Sequence, residues 1–113
     1  MNYCLILVDL QNDYFPGGKM ELVGIEEAAA NAHILLNEFR KAKLPVIHIR
    51  HISTRPGATF FLPETDGAKI NQALTPLDDE IVVVKSFPNG FRDTSLLEIL
   101  REKNRTLLLS VAQ

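Results

Sequence analysis

Two charged residues that follow apolar runs are the first candidates for chemistry in this sequence. Asp9 lies near the end of the apolar run over residues 3–10, and Lys85 directly follows the run over residues 81–84. The working residues of open parallel sheets gather at the carboxyl ends of strands, so both are expected at one edge. An acid and an amine brought together there can shift each other's pKa values and share a proton. Asp9 would equally suit a loop cap, and Lys85 a solvated strand end. Spacing alone therefore does not decide between a functional and a purely structural role.

Four short apolar runs predict the strands that would carry these side chains. They cover residues 3–10, 46–52, 81–84 and 106–111. Continuous runs rich in Ile, Leu and Val are typical of strands buried on both faces, as in parallel sheets. Because crossover segments separate the runs, they predict an α/β fold: a doubly wound, Rossmann-like parallel sheet with strand order 3-2-1-4.

The segments between the runs predict two helices and one long excursion. Apolar residues at helical spacing predict a helix over residues 25–43. A second helix is expected over residues 95–103, because a capping box opens it. Residues 53–75 show no long period, so they are expected to form a functional excursion with one short helix near residues 68–73.

Composition narrows the class of protein. The 113 residues suit one domain, and a net charge of −2 gives no reason to expect a nucleic acid or an anionic membrane as partner. The one cysteine, Cys4, excludes an intramolecular disulfide and favours a reducing compartment. No apolar run approaches the roughly 20 residues needed to span a bilayer, so a soluble, cytoplasmic protein is expected.

Three segments carry a resemblance to a known family. They are LVDLQNDYF from Leu7 with the PGG that follows, RHIS from Arg50 with ATFFLP from Ala58, and VVKSFPNGF from Val83. In this order they resemble the motifs of the isochorismatase-like cysteine hydrolases, over essentially the whole chain. The resemblance implies that residues 1–113 are the N-terminal part of a single isochorismatase-like domain, without the last strands of the family fold.

The resemblance also implies a reaction. The family uses an Asp, Lys and Cys set on small amide or carbamoyl substrates, which would make Asp9 the acid/base and Lys85 the catalytic lysine. The family's cysteine follows the fourth strand, where this sequence ends at Gln113. Cys4 lies inside the first strand run and is expected to be a buried apolar filler. The chain is therefore expected to be impaired or inactive in thiol chemistry, although the isochorismatase branch uses the Asp alone as acid on a vinyl ether.

Candidate substrate-binding residues surround this edge of the sheet. They are Gln11, Phe15, His51, Phe60 and Phe87, which lie in or next to the loops that follow the strands. Ordinary packing, or a hydrogen-bonded histidine, would explain the same residues. No metal site and no cofactor are expected, because the Asp-x-His pair of the nicotinamidase branch is absent. The expected partner is a small-molecule substrate.

Several alternatives remain beside an active enzyme. The sequence would fit a fragment of a hydrolase, a natural short homologue that lost activity, or a site completed by a partner chain. A non-catalytic interaction protein is the main rival class. Strand four would then be an exposed apolar edge, which predicts a homo-oligomer. Phosphoaspartate, haloacid-dehalogenase and dinucleotide-binding patterns are not met, because DLQNDYFPGG after the first strand lacks the acidic pair and the glycine fingerprint that they need.

Overall fold

One parallel sheet organises the chain. The computed structural model describes residues 3–86, Glu98 and the backbone of residues 106–111. The strands are β1 (Tyr3–Val8), β2 (Val46–His51), β3 (Ile81–Lys85) and β4 (Thr106–Val111). They lie in the order β3-β2-β1-β4, and every neighbouring pair is parallel. The α/β fold and the strand order expected from the sequence are confirmed.

Among the described residues, one long helix, α1 (Ile25–Lys41), covers one face of this sheet. Its buried residues recur at helical spacing and pack against Leu5 and Leu7 of β1 and Val46 of β2. Glu26 and Arg40 are among the acidic residues in its first turn and the basic residues in its last, an arrangement that suits the helix dipole. The helix ends two residues earlier than the sequence suggested.

The opposite face of the sheet has its own apolar cluster. It consists of Cys4, Ile6, Ile47, Ile49 and Val83. The side chains of successive β1 residues thus pack alternately on the two faces of the sheet. Both faces are apolar, which explains why that strand is apolar throughout. The Cys4 side chain is fully buried in this cluster, as the sequence predicted.

The excursion between β2 and β3 differs from the expectation. The short helix predicted near residues 68–73 is wrong, since two separate 3-10 turns, Asp66–Ala68 and Gln72–Leu74, occupy this stretch. The backbone between them is extended, because Ile70 forms an antiparallel bridge with Gln11 and the Asn71 amide donates to the carbonyl of Leu10 at 2.8 Å. This pairing with the loop after β1 prevents one continuous helix.

The predicted second helix and the question of a membrane-spanning helix can be followed only within the described residues. The helix predicted over residues 95–103 lies outside them except for Glu98, which is helical. Within the residues that the structure describes, no helix is both long enough and apolar enough to cross a membrane.

Candidate active site

A buried ion pair joins the carboxyl ends of β1 and β3. The Lys85 ammonium lies 3.2 Å from Oδ2 of Asp9, and both side chains are almost completely buried. Lys85 is the last residue of β3 and pairs in register with His51 of β2, while the Asp9 amide donates to the carbonyl of Ile49 at 3.0 Å. The two charges therefore meet across the end of β2, within the salt-bridge distance that the sequence predicted.

The backbone of Asp9 is unusual. Its φ of 59° lies in the left-handed region, which costs a residue other than glycine about 1–2 kcal/mol. This conformation ends β1 at Val8, two residues before the end of the apolar run. Strained residues of this kind cluster at functional sites, where the surrounding structure holds them in place.

A pocket opens next to the ion pair. Its volume is about 410 Å³, which lies within the range of small-molecule sites. The lining residues are Asp9, Tyr14, His51, Ser53, Thr54, Arg55, Phe60, Phe61, Lys85 and Ser86. The pair thus borders a cavity in which a small ligand could reach it.

Two titratable side chains of this pocket are held in their neutral forms. Burial lowers the pKa of His51 below its ordinary value; the carboxylate of Asp9 opposes this shift, whereas Lys85 and Arg55 reinforce it. Burial, together with the charge of Asp9, raises the pKa of Tyr14. Near neutral pH the pocket therefore offers a neutral imidazole and a phenol hydroxyl, both of which can form hydrogen bonds.

Aromatic rings form the apolar wall of the pocket. The Phe61 ring lies at the centre, with ring centroids 4.6 Å from Tyr14, 5.0 Å from Phe60 and 5.9 Å from His51. Phe61 has a φ of 55°, which is rare for a bulky residue. The buried carboxylate of Asp13 holds it there, since Oδ2 accepts the amide of Phe61 at 2.7 Å.

Of the five residues expected to bind substrate, His51 and Phe60 line the pocket and two others do not. Gln11 is fully buried, and its side chain bonds only backbone: Nε2 donates to the carbonyls of His51 and Ala68, and Oε1 accepts the amide of His51. The structure thus makes Gln11 a positioning residue. Phe15 packs against the core beneath α1 and lines a different groove, while Phe87 lies outside the described residues.

Several pocket residues were not expected from the sequence. Tyr14 lies inside the first motif, and Ser53, Thr54 and Arg55 lie two to four residues beyond the end of β2. The signal that could have found the last three is the one that found Asp9 and Lys85, namely a position just beyond the carboxyl end of a strand. Among the described residues, no three His, Cys, Asp or Glu side chains are grouped so that they could hold a metal ion.

The fold and the site define the class: an α/β protein with a parallel sheet and a buried acid–lysine pair at its carboxyl edge. Comparison with known proteins identifies the family within that class. The isochorismatase domain model matches residues 3–111, so this chain belongs to the isochorismatase family. An isochorismatase family protein of Bacillus subtilis, YddQ, is 46% identical over 103 residues, and the secreted isochorismatase effector Isc1 of Verticillium dahliae is 36% identical over 107 residues. These matches cover 91% and 95% of this chain, and 57% and 55% of the two relatives.

A solved structure gives the same result. A crystal structure from Oleispira antarctica, assigned to the isochorismatase hydrolases, superposes with a TM-score of 0.90 at 44% identity. The superposition covers 96% of this chain and 59% of that one. The chain therefore spans a little over half the length of the relatives that it matches.

Proposed function

We propose that this protein is a hydrolase of a small amide, carbamoyl or vinyl-ether substrate, with Asp9 transferring the proton and Lys85 charging and orienting the site. The observation that carries the proposal is the buried ion pair, with 3.2 Å between Lys85 Nζ and Asp9 Oδ2, on the wall of a pocket of about 410 Å³. Acid and base groups in a partly closed cavity are typical of sites of proton transfer. We further propose that His51 and Phe60 contact the substrate and that Gln11 fixes the backbone of His51.

Two routes fit this pair. On a vinyl ether, Asp9 in its acid form donates a proton to the vinyl carbon. Water then adds to the resulting oxocarbenium carbon and returns a proton to the carboxylate of Asp9, and the hemiketal separates into a ketone and an alcohol. On an amide or carbamoyl group, Asp9 accepts the proton of an attacking thiol and passes it to the nitrogen as the C–N bond breaks and ammonia or an amine leaves; water then hydrolyses the thioester and frees the thiol. Cys4 does not suit that role, since it lies five residues before Asp9 along β1, roughly 16 Å away at the rise of a strand. The thiol route would need a cysteine beyond Gln113 or from a partner chain.

The test is an assay of the purified protein on small amides, carbamoyl compounds and vinyl ethers. The variants Asp9→Asn and Lys85→Met should each lower kcat/KM at least a hundredfold. Lys69→Met is the matched control, since the Lys69 side chain is 68% exposed and lies outside the pocket. Turnover that survives both pocket variants would place the activity elsewhere.

The rival is an interaction protein that uses the fold without catalysis, and a homo-oligomer is proposed under either function. Val82 and Val84 are 43% and 51% exposed on β3, which forms one edge of the described sheet. Apolar side chains on an edge strand favour association with another chain. Size-exclusion chromatography with light scattering tests this point: a monomer at all concentrations contradicts the oligomer, and an oligomer without turnover favours the rival.

Two remaining proposals concern the whole chain. We propose that residues 1–113 are the N-terminal part of one domain, because the aligned residues cover only 57% and 55% of the two matched relatives. A stop codon directly after Gln113 in the encoding DNA would contradict this. We also propose a cytoplasmic location, which suits the one buried thiol, although Isc1 is described as secreted. Cell fractionation separates these two locations.

A further inference from the structure

The backbone that follows β2 is fixed from two sides at the pocket. The Ile52 amide donates to the carbonyl of Lys85 at 2.9 Å, which ties this segment to the end of β3. The Ser53 amide donates to the carbonyl of Phe61 at 2.8 Å, which ties it to the aromatic wall. His51 and Ser53 line the pocket and Ile52 between them does not, the alternation expected of an extended backbone. Ser53 is therefore held between the ion pair and the aromatic rings.

The hydroxyl of Ser53 is buried and makes no use of its hydrogen-bonding capacity within the described part of the chain. The residue is 8% exposed, and no hydrogen bond joins its Oγ to another described residue. By contrast, the hydroxyls of Thr65 and Thr75 each donate to a carbonyl three residues earlier, at 2.7 and 2.8 Å. The Ser53 oxygen is not among the fully enclosed polar atoms, so it remains accessible from the pocket that it lines. A buried polar group of this kind calls for a partner, and a ligand in the pocket can supply it.

The polar groups beside Ser53 determine which kind of partner is needed. The ammonium of Lys85 is a donor, and it already engages Oδ2 of Asp9 at 3.2 Å. Tyr14 keeps its phenol proton near neutral pH, because burial and the charge of Asp9 raise its pKa. A carbonyl or ether oxygen of a substrate therefore finds donors in this pocket, whereas a substrate N–H needs an acceptor. The lone pairs of the Ser53 hydroxyl provide one.

We propose that Ser53 is a specificity-determining residue, whose hydroxyl accepts an N–H of the substrate and so selects amides and carbamoyl compounds over vinyl ethers. A site with a buried hydrogen-bonding group discriminates strongly against an analogue that leaves this group unpaired. The inference rests on the proposed function for turnover, but recognition of the N–H can be measured by binding alone.

Benzamide and acetophenone are suitable probes, since they share a ring and a carbonyl group and differ only in an amino or a methyl group. Titration calorimetry or NMR titration of the purified protein should show tighter binding of benzamide. Ser53→Ala should weaken benzamide about tenfold and leave acetophenone within about twofold. Ser53→Cys keeps the shape of the side chain with a weaker acceptor, so it should also weaken benzamide. Thr59→Val is the matched control, because Thr59 is exposed and lies outside the residues that line the pocket.

Equal affinity of the unaltered protein for the two probes, undetectable benzamide binding at millimolar concentration, or unchanged benzamide binding by Ser53→Ala would overturn the inference. An equal loss for both probes would show that the hydroxyl donates to the carbonyl, which overturns the selection of an N–H. Retained affinity for acetophenone shows that the Ser53→Ala pocket is folded. Asp9→Asn separates this inference from the proposed function, since it should abolish turnover yet keep the preference for benzamide. Retained turnover in Asp9→Asn would contradict the hydrolase proposal and leave the assignment of Ser53 standing.

Discussion

Asp9 and Lys85 depend on each other for stability as well as for chemistry. The desolvation of two buried charges is offset only while both are present, so losing one partner costs more than losing both. Lys85→Met should lower the free energy of unfolding by about 3–5 kcal/mol, because it leaves a buried carboxylate without its cation.

The double variant Asp9→Asn/Lys85→Met should recover most of that loss. Both charges are then gone, and asparagine tolerates the φ of 59° at position 9 better than most residues. Urea unfolding of the two single variants and the double variant gives the coupling energy directly. Additive losses would show that the pair is solvated rather than buried.

The carboxylate of Asp13 is predicted to maintain the shape of the pocket. It accepts the amides of Phe61 and Lys19, at 2.7 and 3.3 Å, and it is almost completely buried. Asp13→Ala should destabilise the protein by about 3 kcal/mol, since it removes charge-assisted hydrogen bonds that hold the strained backbone of Phe61.

Asp66→Ala serves as the comparison for Asp13→Ala, because the Asp66 side chain is 85% exposed. In denaturant unfolding, the free energy of unfolding of Asp66→Ala should fall by no more than about 0.5 kcal/mol. Equal losses in the two variants would contradict the assigned role of Asp13. If the folded Asp13→Ala variant also binds a ligand more weakly, this result would indicate that Phe61 has moved.

At the scale of elements, sequence patterns predicted the strands and α1 because their apolar periodicity reflects burial against one sheet. The same reasoning placed Asp9 and Lys85 together, since parallel strands end at one edge. It failed for the excursion, whose form depends on distant partners. Gln11, for example, bonds His51, 40 residues away, and Ala68, 57 residues away. Hydrogen bonds of this kind leave no local period in the sequence.

The first 3-10 turn of the excursion requires glycine because of its close contact with the loop after β1. A Cβ at Gly67 would lie 2.0 Å from Oδ1 of Asp13, so one of the two elements must move. Gly67→Ala is therefore expected to destabilise the protein by about 2–4 kcal/mol and to enlarge or distort the pocket.

Gly17→Ala is the control for Gly67→Ala. Nothing lies within 4 Å of a Cβ at that position, and only its φ of 87° opposes a side chain. The cost there should be about 1 kcal/mol. Thermal unfolding compares the two variants, and a loss at Gly67 no larger than at Gly17 would show that the contact with Asp13 is easily relaxed.

At the scale of the whole molecule, a second buried ionic cluster ties α1 to the sheet at the end away from the pocket. Arg40 of α1 donates from Nε and Nη2 to the two carboxylate oxygens of Glu80, at 2.7 and 2.8 Å. The imidazole of His48, in β2, lies 2.8 Å from the same carboxylate. Since Glu80 directly precedes β3, three segments distant in sequence meet at one carboxylate. The cluster is therefore placed to contribute to global rather than local stability.

This cluster predicts how stability depends on pH. Burial lowers the pKa of His48, and the hydrogen bonds from Arg40 and His48 outweigh burial to lower the pKa of Glu80 from 4.5 to about 2. Both folded-state pKa values lie below the unfolded ones, so both groups stabilise the fold at high pH and lose this contribution on acidification. The loss should begin below about pH 6.5 as the unfolded chain binds a proton at His48, and continue from about 4.5 towards 2 through Glu80.

Urea unfolding between pH 8 and pH 3 checks this dependence, and two variants separate its two parts. His48→Asn should flatten the part near pH 6, while Glu80→Gln should flatten the part below pH 4.5 and cost about 3 kcal/mol at neutral pH, because Arg40 loses its buried anion. His33→Asn is the control for the histidine, since His33 lies on the exposed face of α1. A profile that His33→Asn alters as much as His48→Asn would place the titration outside the cluster, and a flat profile would mean that the cluster does not contribute to global stability.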